Sequence, residues 1–482
     1  MSTNEKGEDM QPIRTRLPFG NTCAVAAAPT AGSRARMCRA VAFALAGIML
    51  AIVAAMGAFA QQAYAVADDA AMQLLGESYY TQDAASGTVY VIRGDSGLYE
   101  VSLDVGDRQV DGDVTAVSSN PAVATVAVRS PWWYSTSASL VITACAVGTT
   151  TISYQAPCDD GTVVSGTLNV RVFDIDLGKR SFTGFNYVLY PGLTATPKVS
   201  GLPKGTWKSS NTAVAKVSAR GKISYKGLGA CEVRGTFGPV DVVIPVDCTY
   251  KKAYKAVKNG FADANAKITY SQAKRMAKNY RDCSSFVSRC FWDTSLKRKI
   301  FALGGTSAKS WALPAADQAK WLNGQKKCVA KKGVPASRLL AGDTVYTQTN
   351  YAGVNKRYRN IDHATLYVGA GMVLSTGGGK KHDIYLRNYP EDPTGTYVKF
   401  IGRPCAEPAL NVTRATLTKK KGANHTIQLK MQWAKGKVKW SSSNKKVAKV
   451  NSKGKVTAKK KGTAKISAKV GGKTYKCKIT VK

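Results

Sequence analysis

Residues 279–292 read NYRDCSSFVSRCFW, and in this stretch Cys283 stands directly behind an aspartate and ahead of two serines. Phe286, Val287, Cys290 and Phe291 recur at three- and four-residue spacing, which marks a short amphipathic helix. Asp282 is then a natural N-cap, because its carboxylate accepts a first-turn N–H that has no partner within the helix. Cys283 falls in the first turn, where the positive end of the helix dipole favours a thiolate. Taken alone, the segment leaves this thiol open between a nucleophile and a core or disulfide cysteine.

The whole chain narrows the choice. Its 482 residues suggest about three domains at roughly 150 residues each. Hydrophobic residues make up 44%, which excludes a disordered chain, while 70 Lys and Arg against 30 Asp and Glu give a formal charge of +40. A field of that sign favours polyanionic partners: nucleic acid, anionic membrane or an anionic cell wall. The run VAFALAGIMLAIVAAMGAFA at 41–60, preceded by Arg39 and followed by the small-x-small patterns Ala63-Tyr64-Ala65 and Ala65-Val66-Ala67, reads as a secretory signal with cleavage nearby. Left uncleaved, it is long enough to serve as a transmembrane anchor. Met37, next to Cys38-Arg39, is an alternative start. Either way the rest of the chain is exported, and nucleic acid drops out as a partner.

Export changes the reading of the cysteines. Of eleven, Cys23 and Cys38 lie in the leader, and nine follow. An odd number in an oxidising compartment leaves at least one thiol free, and Cys283 alone has a helix-start context. No C-x-x-C pair occurs, so neither a cysteine zinc site nor any other metal or cofactor is expected. Cys231 and Cys248 flank EVRGTFGPVDVVIPVD, a strand–turn–strand centred near Gly238-Pro239, and are expected to face each other as a disulfide.

Internal repeats divide the chain. WKSSNTAVAKVSARGKISYKGLGACEV (207–233) aligns without a gap on WSSSNKKVAKVNSKGKVTAKKKGTAKI (440–466). A third copy, VSSNPAVATVAV (117–128), resumes at LVITACAVGTTTISY (140–154) after an insertion that holds Trp132, Trp133 and Tyr134. Alternating apolar residues, β-branched enrichment and regular Gly/Asn turns predict short antiparallel strands and small β-sandwiches. The S-S-N-x-x-V-A-x-V and G-K-[IV] pattern resembles the bacterial immunoglobulin-like group 2 (BIG2) domain, a module common as a spacer or surface binder in exported bacterial proteins. The first copy is acidic (Asp68, Asp69, Asp104, Asp107, Asp111, Asp113). After Pro404, Glu407 is the only carboxylate against more than twenty Lys and Arg. That excess exceeds what solubility or edge protection needs and points to an anionic polymer such as teichoic acid.

Residues 250–404 break the repeat pattern. YKKAYKAVKNGF and YSQAKRMAKNY are helical in character, whereas GDTVYTQT (342–349), HATLYVGAGMVLSTGGG (363–379) and GTYVKFIGRP (395–404) read as strands, an α+β order. DCSSFV (282–287), LLAGDTVY (339–346) and DHATLYVG (362–369) together resemble the NlpC/P60 family of papain-like cysteine peptidases. The resemblance implies a nucleophilic cysteine at a helix start and a histidine base on the facing strand, here Cys283 and His363. It places a polar orienting residue about twelve positions after the base, where this chain has Ser375, a departure from the usual His, Asn or Gln. His382, in GGGKKHD, is an alternative orienter. The tyrosine that the family carries upstream of the cysteine corresponds to Tyr270, although its flanking glycines are absent, and Tyr280 is a further candidate.

The expected architecture is multidomain: a leader with signal peptide or anchor (1–67), immunoglobulin-like modules at 68–176 and 177–249, a papain-like α+β NlpC/P60 catalytic domain at 250–404, and a Lys-rich immunoglobulin-like module at 405–482. The expected function is a secreted, wall-associated cysteine endopeptidase that cleaves peptidoglycan stem peptides through a thioester. A membrane is a partner only if the leader stays uncleaved. Two alternatives remain: a catalytically degenerate wall- or host-binding adhesin, favoured by Ser375, and a Cys-His amidase or acyltransferase on another acyl substrate.

Overall fold

The computed structural model describes most of residues 80–482. Residues 1–79, 84–87, 94–98, 104, 106–107, 130–137, 179–180, 294–297, 300–302, 304–310, 350–354, 378–382, 421 and 423 lie outside the described residues. The leader, the Trp132-Trp133-Tyr134 insertion and His382 therefore fall outside them.

The described chain is mostly β. In the first unit the long strand Val163–Asp176 lies between Thr88–Ile92 and Gly148–Pro157, facing a second sheet built from Tyr99–Ser102, Ala124–Arg129 and Ser139–Ala144. Val89, Leu140, Ile142, Ile152, Val170 and Val172 fill the space between the two sheets. Lys198–Ser200 pairs antiparallel with the end of Val163–Asp176, so a strand of the second unit joins the first unit's sheet.

The second and last units are built on one plan. Strands Thr206–Ser209, Gly229–Phe237, Val240–Cys248 and Tyr187–Leu189 make a four-stranded sheet opposite a three-stranded one. In the last unit Lys439–Ser442, Gly462–Val470, Lys473–Val481 and Arg414–Leu417 repeat that order. The offset that carries Asn211 onto Asn444 also superposes the two long hairpins in register, Gly229↔Cys248 on Gly462↔Val481. Gly221 and Gly454 both have positive φ and lie under the rings of Trp207 and Trp440, where a Cβ would come within about 3 Å of the indole. That steric need explains why the repeat keeps Trp and Gly together.

The second hairpin turns at Gly238-Pro239 as the sequence implies, but the expected disulfide is absent. Cys231 pairs with Val246 and Cys248 with Gly229, so the two cysteines sit two residues out of register, both buried and both free.

The mixed unit begins at helix α1 (Lys251–Ala264), followed by α2 (Cys283–Cys290) and α3 (Ala315–Gly324). Its sheet is fully antiparallel, formed by β1 (Cys328–Ala330), β2 (Thr344–Thr347), β3 (His363–Gly369), β4 (Met372–Thr376), β5 (Ile384–Asn388) and β6 (Val398–Gly402) in the order β1-β6-β2-β3-β4-β5. Ala253, Ala256 and Val257 of α1 and Phe286, Val287 and Cys290 of α2 pack on Ala364, Leu366 and Leu374 of the sheet. Gly260 lets α1 approach closely, since a Cβ there would stand 3.1 Å from Leu366 and Leu374. YSQAKRMAKNY is not the expected helix. It forms turns between two short parallel strands, Thr269–Tyr270 and Tyr280–Arg281. Arg281 explains the difference, because its Nη1 donates to the carbonyls of Ala277, Lys278 and Tyr280 and takes over acceptors that a helix would have used.

Candidate active site

The start of α2 is fixed by a reciprocal cap. Asp282 accepts the Ser285 N–H at 2.6 Å, and Ser285 Oγ accepts the Asp282 N–H at 2.9 Å. Each bond satisfies a donor that the helix leaves unpaired. Arg275, from the segment read as a helix, forms an ion pair with Asp282 at 2.6 Å and donates from Nη2 to Ser284 Oγ at 2.6 Å and to Leu313 O at 3.2 Å. Gln318 of α3 is fully buried and donates to Ser284 O and Ser288 Oγ, which fixes the helix from the other side. Gln318 reaches Ser284 and Ser288 across thirty residues or more, and Arg275 ties the helix start to Leu313, 38 residues from it.

Cys283 is buried, with its Sγ donating weakly to Asp362 O at 3.9 Å. Burial pushes its thiol up to about 12, and the neighbouring Asp282 carboxylate adds to the effect. Backbone N–H groups of Ala364 and Ser284 and the Arg275 guanidinium oppose it only in part. Burial at the helix start therefore works against the resting thiolate that the sequence suggests.

His363 opens β3, opposite Thr347 of β2. Its Nε2 lies 3.0 Å from Ser375 Oγ, and Ser375 is wholly buried near the end of the adjacent strand β4. With Ser375 Oγ accepting from Nε2–H, the lone pair is left on Nδ1. Burial lowers the imidazole to about 4, and the Arg387 guanidinium on β5 adds to this, against the opposing carboxylates of Asp362 and Asp282. Thiol and imidazole are thus both neutral at rest. Asp383 anchors the end of β4 by accepting from Thr376 Oγ1 and Gly377 N, each at 2.8 Å.

Tyr270 stands beside Arg281 in the short parallel pair, accepts from Gln272 Nε2 at 3.3 Å, and is close enough to Cys283 that the thiol helps, after burial, to raise its phenol. Tyr280 lies instead under Lys274, whose Nζ is 5.2 Å from the ring centroid. Cys283, His363, Ser375 and Tyr270 thus lie around the start of α2 and the adjoining ends of β3 and β4.

Residues 270–398 match the model of the NlpC/P60 family, and residues 408–481 match that of the bacterial Ig-like domain (group 2). No curated protein matches the chain. Among solved structures, domains 5-6 of the S-layer protein SbsC are similar at 16% identity and a TM-score of 0.14, covering 36% of this chain and 99% of that one. A mutant of intimin from EHEC O157:H7 is similar at 20% identity and a TM-score of 0.14, covering 21% of this chain and 61% of that one. TM-scores this low settle nothing about this chain.

Proposed function

Starting from an NlpC/P60 domain at 270–398 and a group 2 bacterial Ig-like domain at 408–481, we propose that this protein is a secreted, wall-associated cysteine peptidase that hydrolyses peptidoglycan stem peptides. The observation that carries the reading is the His363–Ser375 bond at 3.0 Å, at the end of β3 and β4 where the Asp362 carbonyl lies 3.9 Å from the Cys283 thiol. The helices on an antiparallel sheet fit a papain-like α+β catalytic domain, and the adjoining β-sandwiches act as spacers and wall-binding units.

His363 Nδ1 takes the proton from Cys283 Sγ as sulfur attacks the scissile carbonyl carbon. The first-turn N–H of Cys283, which helix geometry leaves without an internal acceptor, receives the oxyanion. Collapse breaks the C–N bond, the imidazolium protonates the leaving amine, and a thioester remains on Cys283. Water, deprotonated by His363, then attacks the thioester carbonyl carbon, and the thiolate leaves and regains a proton. Because thiol and imidazole start neutral, proton transfer accompanies attack instead of preceding it.

Purified protein incubated with soluble muropeptides, with mass analysis of the products, tests the reading. The unaltered chain should release a stem-peptide fragment, and Cys283→Ala should release none while keeping its fold. Cleavage by the Ala variant would overturn the assignment of the nucleophile. Release of ammonia or acyl exchange without peptide scission would point to amidase or acyltransferase chemistry.

A further inference from the structure

We propose that the outer face of the four-stranded sheet in the last module is a docking surface for a linear polyol-phosphate polymer of the cell wall. The site stands on its own geometry; only the choice of polymer rests on the wall reading above. The two central strands, Gly462–Val470 and Lys473–Val481, send Lys465, Lys469, Lys476 and Lys478 to solvent, while Ile466, Ala468, Cys477 and Ile479 go into the core. Register places Arg414, Lys478 and Lys465 in one row across three strands, and Lys469 beside Lys439 in another. Neighbouring strands are about 4.8 Å apart, and outward residues along one strand are about 6.7 Å apart.

Like charges directly opposite each other on a sheet are destabilising. Among the described residues none of these six cations has an ion-pair partner. Edge protection does not explain them, since edge lysines belong on outer strands and four of the six lie on the inner pair. The strands of the opposite sheet carry Lys449 and Lys455, which stand opposite Thr457 and Gln428, so the rows of facing cations belong to the four-stranded sheet.

That side is already a docking face in the sister module. At the positions matching Lys476 and Thr480, the second module has Val243 and Asp247, 1% and 2% exposed, and the mixed unit packs against this sheet. The remaining outward side chains of the last module's face are Thr416, Ser441, Thr463, Ser467, Thr474 and Thr480, with no aromatic ring. Cations set among hydroxyls suit a chain of phosphates and polyol hydroxyls. A single-stranded nucleic acid, by contrast, is held largely by stacking on aromatic rings.

The test is equilibrium binding of the full chain to labelled synthetic poly(glycerol phosphate) at about 0.15 M salt, where exposed charges are screened beyond about 8 Å. One variant carries Lys465→Gln, Lys469→Gln, Lys476→Gln and Lys478→Gln. A control of equal charge carries Lys445→Gln, Lys446→Gln, Lys459→Gln and Lys460→Gln. The face variant should bind about 600-fold more weakly, since each of the four cations at an anionic surface contributes roughly fivefold. The control should stay within about threefold of the unaltered chain. Equal losses in both variants, or none in either, would overturn the site. Binding of polygalacturonate or of single-stranded DNA as tight as that of the polyol phosphate would overturn the choice of polymer. Muropeptide turnover by the unaltered chain reports separately on the hydrolase reading, so either proposal can fail alone.

Discussion

The second and last modules share one scaffold and treat one face of it in opposite ways. In the second, Val188, Val243 and Asp247 are buried on the outer side of the four-stranded sheet, and Val188 joins the core of the mixed unit. Asp247 accepts from Asn186 Nδ2 at 3.2 Å and from the Ala370 N–H at 3.0 Å, and Thr249 Oγ1 donates to Ala341 O at 2.7 Å. In the last, Lys476 stands exposed at the position of Val243, and Thr480 and Thr416 stand at those of Asp247 and Val188, with Lys478 and Lys465 exposed beside them. Inside both sandwiches the same Trp–Gly pair and the same hairpin register persist. The interior is common to both copies, and the outer face is where they differ.

The sharpest way to break this comparison is to exchange the faces. Val243→Lys would bury an unpaired ammonium against the mixed unit and should cost ~3–5 kcal/mol of stability. Lys476→Val, the reverse change at the matching position, should stay within about 0.5 kcal/mol. Denaturant unfolding of both variants decides; comparable small effects would mean that the second face is not a packed joint.

A smaller effect is expected at Asp247. Removing its carboxylate by Asp247→Ala leaves the Asn186 amide and the Ala370 N–H without an acceptor, at ~1–3 kcal/mol. Ala370 and Gly369 both have positive φ in the turn between β3 and β4, and a Cβ at 369 would collide with Asp247 Oδ2. Those two strands carry His363 and Ser375, so turnover should fall along with stability. The joint is also pH-dependent. Burial raises Asp247 from 3.8 to about 7, so the folded state holds the proton more tightly than the unfolded one. Its contribution is therefore complete below about 3.8 and is lost as pH rises through about 7. Asp247→Asn should flatten that part of the stability profile relative to the unaltered chain. An unchanged difference between pH 4 and pH 8 would remove Asp247 as the cause.

How much of this was legible beforehand follows from how far each interaction reaches along the chain. The repeat was legible because Trp207, Asn211 and Gly221 recur as Trp440, Asn444 and Gly454, local requirements of turns and packing. The DCSSFV helix and its Asp282 cap were legible for the same reason, and the strands carrying His363 and Ser375 were legible as short apolar runs, HATLYVG and MVLST, which are buried almost throughout. The helix expected at 270–280 fails where Arg281 caps the carbonyls of Ala277, Lys278 and Tyr280 while bonded to Asp263, eighteen residues away, and Arg275 reaches Ala312 and Leu313 more than thirty residues downstream, partners that no short window reveals. The Cys231–Cys248 pairing fails by two residues of register, a quantity fixed by the hairpin and invisible in spacing alone. The role of Asp247 was hidden altogether, since its partner Ala370 lies more than a hundred residues downstream.

A pH profile tests the site next. Imidazole must be neutral to accept the thiol proton, and His363 is lowered from 6.5 to about 4, by burial first and by Arg387 second. The acid limb of kcat/KM on soluble muropeptides should therefore lie well below the usual histidine range. Arg387→Gln removes a guanidinium that disfavours the imidazolium, so it should move that limb upward. A limb near 6.5 in the unaltered chain would show that the ring is solvated in the working enzyme.

The smallest expected effect belongs to Ser375, and it sharpens the comparison from the catalytic side. Module and serine act on the same strands: Asp247 holds the turn at one end of β3 and β4, and Ser375 holds the ring at the other. Ser375 offers a neutral hydrogen bond, typically worth ~0.5–1.5 kcal/mol. At about 1.36 kcal/mol per tenfold in rate, Ser375→Ala should slow turnover roughly 2- to 13-fold. A charged orienter can matter about 10⁴-fold, so the two cases separate cleanly. His382, outside the described residues, is the rival orienter, and His382→Ala measured on the same substrate distinguishes them. Collapse of activity in His382→Ala with Ser375→Ala unaffected would move the orienting role from the strand to the loop. If Ser375 does hold the ring, Ser375→Ala combined with Asp247→Ala should lose more than the two single losses multiplied, because each then removes the constraint that limited the other's damage.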